Sequence, residues 1–144
     1  MFVVDTNFLI EAAIEDYPNH QGVRELLEKW RRGNVSWHCT WSIFYEFLRV
    51  TTHRQILPKP LTSEQAWSFL NLLLESSGFS MLVETLEHGG QIKEMASSMG
   101  ELKGNLWHDA HIVALMRENG IREIYTFDVD FHRFKDIRVI NPFK

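Results

Sequence analysis

Apolar positions along the chain change repeatedly between two spacings, and the changes predict strands alternating with helices. Phe2, Val3 and Val4 form a short β-prone run, after which Asp5, Thr6 and Asn7 turn the chain into Phe8–Ile14, where the spacing is helical. Val23 to Arg32 reads as an amphipathic helix with Leu26, Leu27 and Trp30 inward, stopped by Gly33 and Asn34. Val35–Trp37 is a candidate short strand, and Ser42 to Arg54 is helical again. Pro58 and Pro60 break the chain, and Thr62 followed three residues later by Gln65 has the capping-box spacing of a helix that runs to Glu75. Ser80–Val83 predicts a strand, Glu87 to Ser98 a helix, and Trp107 to Asn119 a helix ended by Gly120. Glu123–Phe127 is β-rich, Phe131–Phe134 a short helical turn and Arg138–Ile140 a last strand. This alternation predicts a single domain over residues 1–144, of the α/β class, with a central, mainly parallel sheet flanked by helices on both faces.

Acids interrupt this pattern where apolar residues would be expected. Asp109 is in register with Ile112, Val113 and Met116 on a buried helix face, and its place in the first turn favours the ionised form through the helix dipole. Glu46 shares a face with Ile43, Phe47 and Val50, with Arg49 or Arg54 as ordinary alternative partners. Thr126, Asp128 and Asp130 are spaced two apart, so a strand continuing that far would point both acids one way, whereas a surface turn after the strand would hold the same residues without any function. Asp5 stands where a strand gives way to a helix, the edge at which open α/β folds bind ligands, although any one of Asp5, Thr6 and Asn7 would also serve as a helix cap. Burying one unpaired carboxylate costs several kcal/mol. Four such acids, Asp5, Glu46, Asp109 and Asp128, without arginines at matching positions imply a shared divalent cation, and oxygen ligands without thiolate select Mg²⁺ or Mn²⁺.

Composition narrows the choice without naming a chemistry. A chain of 144 residues, 44% hydrophobic and 24% charged, has ordinary globular proportions, and no run is long and apolar enough for a signal peptide or membrane span, which makes the expected location cytoplasmic. The single cysteine, Cys39, rules out an internal disulfide and a cysteine-rich zinc site and reads as a buried filler. A net charge of −4 argues against a protein that coats nucleic acid, yet leaves room for local basic rims at Lys29–Arg31–Arg32, Arg49–Arg54 or Arg133–Lys135–Arg138. The glycines match no phosphate-binding loop.

Four segments, VVDTN at Val3–Asn7, YEFLRV around Glu46, LWHDAHIVALM at Leu106–Met116 and TFDVDFHRF at Thr126–Phe134, resemble the PIN-domain family, and within it the VapC ribonuclease toxins of bacterial toxin–antitoxin pairs. The resemblance covers nearly the whole chain. It implies that Asp5, Glu46, Asp109 and Asp128 hold the metal, that Thr126 and Asn7 support them, and that Asp130 matches a position frequently acidic in the family. It implies metal-assisted hydrolysis of RNA, a small VapB-type antitoxin as partner and a homodimer, the last also suggested by Trp37, Trp41, Phe44, Phe47 and Trp67, more aromatic surface than one core requires. Nothing in Met99–Asn105 matches a family role.

Other readings fit less well. A phosphatase of the haloacid-dehalogenase type needs a second aspartate where Asn7 stands, and a zinc hydrolase on His108, Asp109 and His111 lacks a supporting third histidine. An RNA-processing nuclease with no toxin role, and a non-catalytic module that binds RNA or protein and keeps the acids for structure, are the alternatives to a toxin, separable by metal-dependent cleavage and by the gene's neighbour.

Overall fold

In the computed structural model, which describes residues 1–144, the strand Phe2–Val4 (β1) is buried along its whole length at the centre of a five-stranded sheet. Chain order is β1, α1 (Thr6–Ala13), α2 (His20–Arg32), β2 (Trp37–Thr40), α3 (Trp41–Thr51), α4 (Ser63–Leu74), β3 (Phe79–Leu82), α5 (His88–Ser98), α6 (Leu106–Glu118), β4 (Glu123–Tyr125), a 3₁₀ turn (Val129–Arg133) and β5 (Arg138–Ile140). The strands lie in the order β3-β2-β1-β4-β5, and every neighbouring pair is parallel. Val3 stands opposite both His38 and Ile124, so β1 is clamped between β2 and β4.

Connections leave β1 in one direction through β2 to β3 and return to its other side at β4. The right-handed rule for parallel crossovers therefore puts α1–α4 on one face and α5–α6 on the other. Packing agrees, since α1 meets α2 and α3, α3 meets α4, and α5 meets α6. One apolar cluster joins both layers, with Trp30 4.8 Å from Phe2 and 4.7 Å from Tyr125 between ring centroids. The order reverses between β1 and β4, and the crevice beyond the carboxyl ends of those two strands is where this architecture leaves room for a ligand.

Local chemistry accounts for the element ends. Thr40 caps α3 by accepting the Ile43 N–H, Thr62 and Gln65 form the full capping box of α4, and Gly120 ends α6 at φ +68, a left-handed angle that suits glycine. The expected strand at Val35–Trp37 instead runs Trp37–Thr40, because Val35 stays exposed while Trp37, His38, Cys39 and Thr40 are all buried. Helix α1 begins one residue past Asp5, which draws Thr6 and Asn7 into it, and β4 ends at Tyr125, two residues short of the sequence reading. Of the aromatic residues expected to exceed one core, Trp37, Phe44 and Phe47 are buried, whereas Trp41 and Trp67 are exposed. Cys39 is fully buried and its thiol donates to the Val4 carbonyl. No helix is long and apolar enough to cross a membrane.

The start of β3 depends on a missing side chain. Gly78 accepts the Trp37 N–H at 3.0 Å, and a Cβ there would overlap the backbone carbonyl of Val35, which cannot swing aside as a side chain can. Gly78→Ala is expected to lower the unfolding free energy by about 1–3 kcal/mol, the usual penalty of overpacking, with an unchanged slope in urea denaturation.

Candidate metal centre

Asp5 is the first residue past β1, and its N–H donates to the Tyr125 carbonyl at 3.0 Å, which brings the ends of β1 and β4 side by side. Its carboxylate is buried. One oxygen caps α1 by accepting the Thr6 N–H at 2.8 Å, and the other accepts the Thr126 hydroxyl at 2.7 Å and the Asn7 side-chain amide at 3.2 Å. The cap and the buried acid expected separately from the sequence are thus the same residue. Asn7 also donates to Thr126 Oγ1 at 3.1 Å and accepts the Phe127 N–H at 3.1 Å, while Thr126 Oγ1 accepts the Asp128 N–H at 3.0 Å. Burial pushes the Asp5 carboxyl up, the hydrogen bonds from Thr126 and Thr6 pull it down, and the Asp128 charge raises it again, leaving it above the usual range.

These side-chain bonds also take the chain out of the sheet. With the Phe127 and Asp128 N–H groups bound to Asn7 and Thr126, the strand does not extend to Asp130, and of the two arrangements the sequence leaves open, strand or turn, the turn forms. Asp128 instead caps the 3₁₀ turn, accepting the Asp130 N–H at 2.8 Å. The turn still brings the acids together. Asp109, Asp128 and Asp130 each present an oxygen within 4.8 Å of the other two.

Asp109 reaches this point from the first turn of α6, where Ala110 and Ile112–Met116 are buried and hold the helix against the core. The helix terminus does not lower its pKa as expected. Burial, followed by the charges of Asp128, Asp5 and Asp130, raises the carboxyl to about 7.

Glu46 lies on the same cleft but outside the close group. Its two oxygens take a bidentate pair from Arg49, at 3.0 and 2.6 Å, so the simple ion pair considered from sequence is the one that forms, and it holds the Glu46 carboxyl below the usual range. The cleft has a volume of about 610 Å³, and Asp5, Asn7, Glu46, Asp109, Asp128 and Asp130 all line it. Arg49 is the only lysine or arginine on its wall. Of the other expected rims, Arg31 and Arg32 pair with Glu28 and Arg138 with Glu123, whereas Arg133, outside the wall, stands 3.8 Å from the cleft acid Asp130.

Two wall residues went unassigned from sequence. His108, read from sequence only as a possible zinc ligand, lies near Asp5 and Glu46, where it works against the burial that raises Asp5 and adds to the Arg49 pairing that lowers Glu46; its signal is adjacency to Asp109 at the start of a helix. Asn105 lies in the stretch that matched no role. The donor set suits a hard divalent cation, because the close group offers only carboxylate oxygens, and the carboxyls of Asp5 and Asp109 are raised first by burial and then by neighbours of their own sign, whose repulsion a cation would offset.

The sequence profile of the PIN domain matches residues 2–137. This chain belongs to the PIN-domain family. Ribonuclease VapC48 of Mycobacterium tuberculosis is 31% identical to it over 139 residues, 96% of this chain and 95% of the relative. Among solved structures, VapBC-1 of nontypeable Haemophilus influenzae superposes with a TM-score of 0.68 at 18% identity over 99% of this chain and 98% of that one. Mycobacterium tuberculosis VapC20, described as a sarcin-ricin loop cleaving toxin, gives 0.67 at 20% identity over 93% and 95%. At such identities the superpositions establish the fold, a parallel sheet between helical layers, and the PIN domain's acidic cleft sits at the reversal point of that sheet.

The raised pKa of Asp109 has a stability consequence of definite sign. Between the ordinary aspartate value of 3.8 and about 7, the unfolded chain has released this proton while the folded chain keeps it, so stability from this group is present at low pH and lost as pH rises through the folded value. In EDTA, Asp109→Asn is expected to be more stable than wild type at pH 8, by roughly 2–4 kcal/mol, with the gain shrinking steadily toward pH 4. Urea denaturation of both proteins across that range measures it, and a gain independent of pH would show that Asp109 is not held protonated.

Proposed function

We propose that this PIN domain, with residues 1–144 acting as one unit, is a Mg²⁺- or Mn²⁺-dependent endoribonuclease and the toxin of a toxin–antitoxin pair. The observation that carries the reading is the convergence of Asp109, Asp128 and Asp130 within 4.8 Å beside the buried Asp5, in an open cleft, in a chain whose relative over nearly its full length is named a ribonuclease.

Asp109, Asp128 and Asp130 hold the ion, Asp5 closes the site from the sheet side, and Thr126 and Asn7 fix the direction in which Asp5 points. When bound, the ion lowers the pKa of a water and offsets charge that develops on the phosphodiester oxygens. Glu46 is paired with Arg49 on the cleft wall, and it joins the same centre only by turning from that arginine. The same turn frees Arg49, the one arginine on the wall, to meet a substrate phosphate. No side chain is required as a nucleophile.

The partner reading rests on the surface and on the neighbours. Trp41 and Tyr45 stand exposed one turn apart on α3, with Trp67 and Leu72 exposed on α4, the helix packed against α3. Such apolar exposure marks an interaction face, here assigned to a homodimer and to a VapB-type antitoxin. The expected location is the cytoplasm, where RNA and a small antitoxin are both available.

Purified protein is expected to cleave RNA only with Mg²⁺ or Mn²⁺, to lose the activity in EDTA, and to lose at least about a hundredfold in Asp109→Asn and Asp128→Asn with an unchanged circular dichroism spectrum. Expression of wild type, and not of Asp109→Asn, should arrest growth. Full cleavage by Asp109→Asn or in EDTA would remove the metal-nuclease reading, and metal-dependent cleavage without growth arrest would leave an RNA-processing nuclease.

A further inference from the structure

Away from the acidic cleft, the loop after β3 and the two helices of the second layer bring together a different set of donors. Glu84, His88 and His111 each present one ligand atom within 4.8 Å of the others. We propose that these three residues form a second metal site, selective for a zinc-class divalent ion, which ties the β3–α5 loop and the start of α5 to α6.

The donor chemistry separates this site from the first. Two imidazoles and one carboxylate suit a borderline ion such as Zn²⁺, whereas three carboxylates suit Mg²⁺ or Mn²⁺. His111 Nε2 and Glu84 Oε1 are 2.8 Å apart. Two ligands on one tetrahedral zinc stand ~3.3 Å apart when each bond is about 2.0–2.1 Å, so this pair needs only to open slightly around an ion. The imidazole rings of His88 and His111 are 5.5 Å apart between centroids and nearly perpendicular, at 89°, which brings the two rings to the point of convergence without stacking them.

An outer group is built as well. His88 Nδ1 is 2.7 Å from Glu118 Oε2, and Glu118 is itself fixed by the Thr85 N–H at 2.9 Å and the Thr85 hydroxyl at 2.7 Å, with its side chain wholly buried. A carboxylate on Nδ1 sets the tautomer of a histidine and leaves the lone pair on Nε2, the arrangement that commonly orients histidine ligands of zinc. Glu118 is thus a positioning residue. Three protein ligands leave a fourth position for water, and the ion would close the loop between β3 and α5 against the helix that carries Asp109.

The test uses the full chain with Mg²⁺ in excess, which keeps the carboxylate centre supplied with its hard ion, and Zn²⁺ or Co²⁺ as the probe. Wild type is expected to bind one equivalent of Zn²⁺, and Co²⁺ should give the visible absorption of a tetrahedral site that Zn²⁺ then bleaches. Glu84→Gln, His88→Gln and His111→Gln should abolish the band, Glu118→Gln should weaken affinity about 10- to 100-fold, and Asp128→Asn should bind as wild type does. Should His88→Gln fail to fold, Glu84→Gln, at an exposed residue, still decides the matter. A wild type that binds Zn²⁺ no more tightly than Glu84→Gln, or binding lost in Asp128→Asn but kept in His111→Gln, would overturn the proposal and leave two hydrogen-bonded histidine–glutamate pairs only.

Discussion

One hydroxyl holds the cleft in its shape. Thr126 Oγ1 has a single proton, and with that proton on Asp5 at 2.7 Å its lone pairs remain for the Asn7 amide and the Asp128 N–H. The residue is completely buried at the reversal point of the sheet, so water cannot replace any of the three partners. Its bond to Asp5 spans 121 positions of sequence and locks the end of β4 to the end of β1. The bond it accepts from Asp128 decides where the chain leaves the sheet, hence where Asp128 and Asp130 stand. Isosteric loss of the hydroxyl would leave a buried carboxylate short of a donor and a backbone N–H without an acceptor, each worth about 1–3 kcal/mol.

The same network explains what the sequence could and could not disclose. Helices and strands followed from hydrophobic spacing because burial on one face is a local, periodic constraint, and capping at Thr62 followed from two residues in one turn. Asp5 and Asp109 were legible as acids set among buried positions, since each is flanked by the apolar residues that bury it. The position of Asp128 and Asp130 was not. A continuing strand and a turn both fit their spacing, which carries no information about side chains 120 residues away that intercept the ladder, as Asn7 does for Phe127. Glu46 shows the opposite limit. Its apolar neighbours made it look committed to the acidic group, but Arg49, one turn along the same helix, is nearer in space than any other segment needed to be.

Electrostatics sets the cleft against the rest of the fold. Outside the cleft, Asp136 takes Arg117 and Arg122, and its carboxyl is held below the usual range by them. In the cleft, Asp109 has like charges from three sides and no arginine, and its carboxyl stands near 7. Such crowding would be relieved by any shift of α6, yet the consecutive buried residues Ile112–Met116 prevent one, since moving them would open the core. Apolar packing thus supplies the stability that the charged group lacks, and it does so from the helix that also carries the acid.

That helix faces two environments at once. Asp109 and His111 are two residues apart, about 200° around the axis, so one side of the first turns meets the carboxylates of the sheet edge while the other meets Glu84 and His88. The two groups therefore share a rigid body without sharing a ligand. A constraint at the outer side acts on the inner one only through the position of α6, and it acts where the helix is least supported, because the residues before it, Gly104 and Asn105, are exposed and Asn105 makes no side-chain cap. The start of α6 is thus fixed from its sides rather than from its end: by the core beneath it, and by the Glu84–His111 contact that reaches its second turn from the loop after β3, while the His88–Glu118 contact from α5 holds the far end of the same helix. Loosening those contacts would move Asp109 before it disturbed Asp5 or Asp128, which are held by the sheet itself.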